Sequence, residues 1–165
     1  MLIVGTDHRF QTRGPDFTEP QHRRFAAYVW DVVKANGVAA LAEENNHQVL
    51  VEADVSESTV QTIARELGLK HRFCDPDMQT RIKLGIRQEN QIRISVFPKQ
   101  LAEAEVQQQL DESMRARERY WLSELVEFNV WPVLFVCGAD HSSPFLNLLR
   151  RNNFDAVLAV QDWGT

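Results

Sequence analysis

The chain has 165 residues, of which 44% are hydrophobic and 25% charged, with a formal net charge of −5. That length suits one domain with a sizeable core, and the balance of apolar and charged residues excludes a disordered chain. The acidic balance argues against a nucleic-acid partner, which requires a basic face.

Met1 to Val4 is a short apolar run broken by Gly5, which reads as an inner strand. A polar loop follows, and Thr18 with Pro20 predicts a helix start, because proline is tolerated in a first turn. Phe25, Val29, Val32 and Val33 recur at helical spacing, and Asn36-Gly37 is a stop. Val38 to Leu41, running into Ala42, Glu43 and Glu44, reads as a second strand. Residues 47–51 fit either a strand or a short turn. Val60, Ile63, Ala64 and Leu67 form a helical stripe that stops at Gly68.

Leu69 to Cys74 alternates as a third strand and ends at a proline turn, Asp75-Pro76-Asp77. Within residues 78–98 the stretch Met78 to Gly85 fits a helix. Ile92, Ile94 and Val96 alternate like a strand. This region is expected to be an insertion or lid over the sheet. Lys99 to Phe128 predicts a long helix without Gly or Pro. Val133 to Cys137 is a continuous apolar strand. Ser143-Pro144 has the form of a helix start, and Ala156 to Val160 is a last strand closed by Gln161, Asp162 and Trp163.

Strands alternating with helices predict a single α/β domain over residues 1–165, with a mostly parallel central sheet and helices on both faces. Cys74 and Cys137 sit in apolar runs, as buried thiols do, which suits a reducing cytoplasm better than a disulfide scaffold. The N-terminus has no signal-peptide pattern, and no apolar stretch approaches the roughly 20 residues of a membrane helix. A cytoplasmic protein without a membrane or nucleic-acid partner is the expectation.

A parallel sheet brings its strand C-termini to one edge, where ligands bind in open α/β folds. Two turns of like form, Gly5-Thr6-Asp7-His8 and Gly138-Ala139-Asp140-His141, end inner strands there. His8, Glu43, Glu44, Asp75, His141 and Asp162 all lie just past a strand end. Two imidazoles and a carboxylate are a workable ligand set for a divalent metal, which activates water and polarises carbonyls. Polar strand-end turns also occur simply because they reach solvent.

Arg117 falls on the apolar stripe of the long helix with Leu110, Met114, Trp121, Leu125 and Phe128, while Arg115 and Arg119 project about 160–200° away. A guanidinium on a buried face needs a partner, either an internal carboxylate such as Glu43, Glu44 or Asp75, or a bound anion. Arg81 is placed to enter the site from the lid. His22, His47 and His71 read as ordinary surface or core histidines. Tyr28, Trp30, Trp121 and Trp131 read as packing residues. Neither a phosphate-binding glycine loop nor a Gly-x-Ser-x-Gly elbow is present.

Together these residues resemble the broad group that includes the TraB/Tiki family and the erythromycin-esterase and ChaN-like proteins. The resemblance rests on Gly5–His8, on the acid at Glu43 or Glu44, on the run Met114 to Trp121, and on the strand 133–137 leading into Gly138–His141 and a leucine-rich helix. It spans both ends of the chain and leaves residues 45–110 largely unmatched. It implies an α/β fold with two histidines, an acid and an arginine around one cavity. Some members of the group are metal-dependent peptidases, some open lactone esters, and others bind haem. Carried over, this gives His8, Glu43 or Glu44, Arg117 and His141, with Glu52 another source of the acid. The expectation is a metal-assisted hydrolase of a small ester or amide, with His8, Glu43, Glu44 and His141 the metal candidates. The alternative is a non-catalytic module binding an anion or a cofactor such as haem.

Overall fold

The computed structural model describes residues 1–97 and 102–164. In chain order it contains β1 (Leu2–Thr6), α1 (His8–Gln11), α2 (Glu19–Ala35), β2 (Ala40–Glu43), α3 (His47–Glu52), α4 (Thr59–Leu67) and β3 (Lys70–Phe73). These are followed by α5 (Met78–Leu84), α6 (Glu89–Val96), α7 (Glu103–Phe128), β4 (Val133–Gly138), α8 (Ala139–Arg151) and β5 (Val157–Trp163). The five strands form one all-parallel sheet in the order β3-β2-β4-β1-β5. This is the expected α/β fold, with helices on both faces.

β4 is the middle strand and is buried along its whole length, which is why its sequence is a near-continuous apolar run. Alternation sorts its side chains between two layers. Val133, Phe135 and Cys137 join Ile3, Ala40 and Ala42 under Trp121, Leu125, Phe145 and Leu149 of α7 and α8. Leu134 and Val136 join Val4 and Leu41 under Phe25 and Val29 of α2 and Val60 and Ile63 of α4. Trp121, Phe25, Phe135 and Phe145 are fully buried, each stabilising the fold by roughly 1.5–3 kcal/mol through burial.

Local chemistry marks the helix ends. The Gln21 side chain accepts the Thr18 N–H at 2.8 Å at the start of α2. Ser58 caps α4 by accepting the Gln61 N–H at 2.9 Å, and Gly68 ends it in the left-handed conformation. Residues 47–51, which fitted strand or turn, are helical, capped by Asn46. The alternation at Ile92, Ile94 and Val96 is not a strand. On α6, Ile92 and Val96 are four residues apart and buried together, whereas Ile94 points away and is exposed. The segment 78–97 is thus two helices, and Pro98, the last residue of the expected lid, lies outside the described residues. The long helix begins at Glu103, and Lys99 to Leu101 also lie outside them.

Ser143-Pro144 does not open the last helix. α8 starts five residues earlier, at Ala139, with Gly138 as its cap and Pro144 inside it. His141 therefore stands in the first turn of a helix rather than on a loop. The first of the two like turns differs in detail. There Asp7 is the cap, accepting the Arg9 N–H at 2.9 Å, and His8 opens α1.

Candidate functional site

Backbone bonds continue the sheet beyond its last strand residues. The Glu44 N–H donates to Val136 O at 2.8 Å and the Asp75 N–H to Asn45 O at 3.1 Å, so both carboxylates start from fixed backbone. Strand alternation then decides between the neighbouring acids. Glu43 shares the face of Leu41, where it accepts the Ser58 hydroxyl and meets His71 Nε2 at 2.8 Å. Glu44 takes the opposite face, toward α7 and α8. Glu52 is exposed on α3. Of the three acids, the structure brings only Glu44 together with the two histidines and the arginine.

Glu44 is buried. Its Oε2 accepts the Gly138 N–H at 2.7 Å. Its Oε1 lies 2.8 Å from an Arg117 terminal nitrogen, 3.5 Å from His8 Nε2 and 3.7 Å from His141 Nε2. That oxygen nevertheless lacks an aligned hydrogen bond, so the Arg117 contact acts through charge more than direction. His8 keeps 51% of its side chain exposed, whereas His141 is nearly enclosed.

His141 Nδ1 meets Glu118 Oε1 at 2.9 Å, and its ring packs edge-on against Trp121 at 4.9 Å. A carboxylate on one ring nitrogen sets the orientation in which the other faces the site. Arg117 Nε donates to Asp75 Oδ1 at 2.5 Å, and the same oxygen accepts Trp121 Nε1–H at 3.0 Å. Arg81 reaches Asp75 Oδ2 at 2.5 Å from α5. Burial alone would raise the Asp75 carboxyl, but the flanking Arg117 and Arg81 outweigh it and hold it below the usual carboxylate range. Burial likewise works against the Arg117 charge, and Glu44 and Asp75 overcome it, pushing that guanidinium above its ordinary value.

Two of these residues were not singled out in the sequence for the site. Glu118 lies four residues after Met114 and three before Trp121, so it shares the helix face of the apolar stripe; that spacing was its available signal. Trp121, read as packing, also donates to Asp75. His71 pairs with Glu43, apart from the His8–His141 cluster.

The glycines of both turns are explained by close approach. A Cβ on Gly5 would lie 1.8 Å from Gln161 O, where β5 shifts register against β1. A Cβ on Gly138 would lie 2.5 Å from His8 Nε2. The imidazole of the first turn thus rests on the glycine of the second.

A cavity of about 440 Å³ opens over this cluster, lined by His8 and His141, by Asp140 and Asp162, and by an aromatic wall that includes Phe10 and Trp163. A second cavity of about 380 Å³ adjoins it through Met114 and His141 and includes Arg117. Among the described residues, no three His, Cys, Asp or Glu side chains converge as a ready metal-ligand set. The nearest approach is Glu44 Oε1 with the two imidazoles, where Arg117 already supplies positive charge. No helix among the described residues is long and apolar enough to cross a membrane. Comparison of the chain with family models, curated proteins and solved structures returns no match.

Proposed function

We propose that the protein is a hydrolase acting on an ester or amide of a small substrate at the C-terminal edge of the sheet. One observation carries this reading: two imidazoles that line an open cavity both lie within 3.7 Å of one buried carboxylate oxygen. His8 is the open imidazole and serves as general base toward a water on the cavity side, with Glu44 favouring the imidazolium that forms. Glu118 holds His141, and Arg117 carries the fixed positive charge that stabilises negative charge developing on the carbonyl oxygen.

The metal-assisted form of this reading keeps His8, Glu44 and His141 as ligands and requires Arg117 to move off Glu44. A divalent ion there would supply Lewis acidity. Metal content of the purified protein, compared with a His8→Ala/His141→Ala variant, decides between the forms. Stoichiometric metal lost in the variant supports the metal form, and equal, negligible content in both sinks it.

Hydrolysis is tested with p-nitrophenyl esters and simple lactones. His8→Ala should lower kcat/KM by about 10²–10⁴, the range of general-base catalysis, with an unchanged circular dichroism spectrum. Equal rates in the parent, His8→Ala and Glu44→Gln would overturn the reading. The arginines around the second cavity favour a second reading, a non-catalytic module for an anion or a cofactor such as haem, which binds ligand without turnover.

A further inference from the structure

The second cavity is walled by arginines from three helices and a loop: Arg81 on α5, Arg87 before α6, Arg93 on α6 and Arg117 on α7. Glu89 is the one carboxylate among its lining residues, and it is paired with Arg93 at 2.7 Å. Arg81 and Arg117 share Asp75, and Arg117 also meets Glu44. Arg87 is different. Its guanidinium donates to Gln109 Oε1 at 2.8 Å and to Ser95 Oγ at 3.3 Å, both neutral, and among the described residues no carboxylate pairs with it.

The backbone of Arg87 is also fixed. Its N–H donates to Ser113 Oγ at 3.0 Å, and the same hydroxyl donates back to Arg87 O at 2.6 Å. A guanidinium held by neutral side chains has no counter-charge beside it and presents a planar fork suited to carboxylate or phosphate oxygens. Asp75 and Glu44 balance Arg81 and Arg117, and Glu89 and Glu103 face Arg93, so among the described residues Arg87 is the cation of this wall without a carboxylate partner.

We infer that this cavity is a binding site for an oxyanion, with Arg87 as its principal donor. His141 borders both cavities, so an anion at Arg87 would direct the rest of its molecule toward His8. Resting on the hydrolase reading for what the anion is attached to, the substrate class becomes a small ester or amide that carries a carboxylate or phosphate.

Titration calorimetry at fixed ionic strength, with inorganic phosphate in one arm and succinate in the other, tests the site and tells the two oxyanions apart. At least one should bind with unit stoichiometry. Arg87→Ala should weaken it about tenfold or more, as loss of a charge-assisted hydrogen bond does. Arg87→Lys should restore part of the affinity, as a point charge without the fork. Arg65→Ala, on α4 and outside the cavity lining, should bind like the parent. Binding of neither anion, or an Arg87→Ala affinity equal to the parent's, overturns the inference. Hydrolysis of neutral p-nitrophenyl acetate is followed in parallel. Arg87-dependent binding without His8-dependent hydrolysis upholds the anion site and removes the hydrolase. The reverse result removes the anion site alone.

Discussion

Asp75 is the carboxylate that Arg117 and Arg81 share. It is buried, and it accepts from Arg117, Arg81 and Trp121 at once. Asp75→Ala would leave two largely enclosed guanidiniums without their shared carboxylate, and a loss of about 3–5 kcal/mol is expected in urea denaturation. Because its folded pKa is depressed, its contribution is complete above the unfolded value and is lost as pH falls through the lower folded one. Stability of the parent should therefore decline with acid below the ordinary carboxylate range, and Asp75→Asn should flatten that part of the profile. At this scale the sequence was partly legible. Arg117 stood out because a cation on an apolar stripe demands a partner, and Asp75 was among the partners considered. Glu43 and Glu44 could not be told apart until strand alternation against Leu41 and Ala42 was known. Glu118 carried a signal only in its spacing from Met114 and Trp121.

Among the elements, α5 and α6 stand apart. Ile92 and Val96 pack with Val106 and Leu110 in a small cluster separate from the two main core layers. Ile82, Ile94 and Phe97 remain exposed around them. Few buried apolar contacts make this a unit of low local stability. Hydrogen exchange should show α6 amides opening well before those of β4. Ile92→Ala, at roughly 2–5 kcal/mol for a buried isoleucine, should erase protection in α6 while leaving β4 protected. Loss of protection throughout the sheet would contradict this independence. The segment was hard to read in the sequence because apolar residues at 92, 94 and 96 suit a strand as well as a helix with one exposed member. α8 was misplaced for another reason: Ser143-Pro144 has the composition of a helix start, yet the chain turns helical directly from β4 at Gly138.

Over the whole molecule, the parallel sheet was the most legible feature, since inner strands such as β4 are unbroken apolar runs. It also made the edge where the site lies predictable. Both thiols sit in the same core layer, and burial pushes each well above its ordinary pKa. Alkylation by iodoacetamide should be negligible in the native state and should follow the unfolding transition, two thiols together. Early modification of either would show that the layer opens in parts. The like turns also divide their tasks. At Gly5 a methyl group would meet backbone, which has nowhere to go, whereas at Gly138 it would meet the tip of an imidazole, which can swing aside. Of two glycines that look interchangeable, one is hostage to folding and the other to the placement of His8. A lineage carrying this chain could shed the His8 geometry through one added carbon at position 138 and keep the scaffold, leaving a folded descendant free to be recruited for something else.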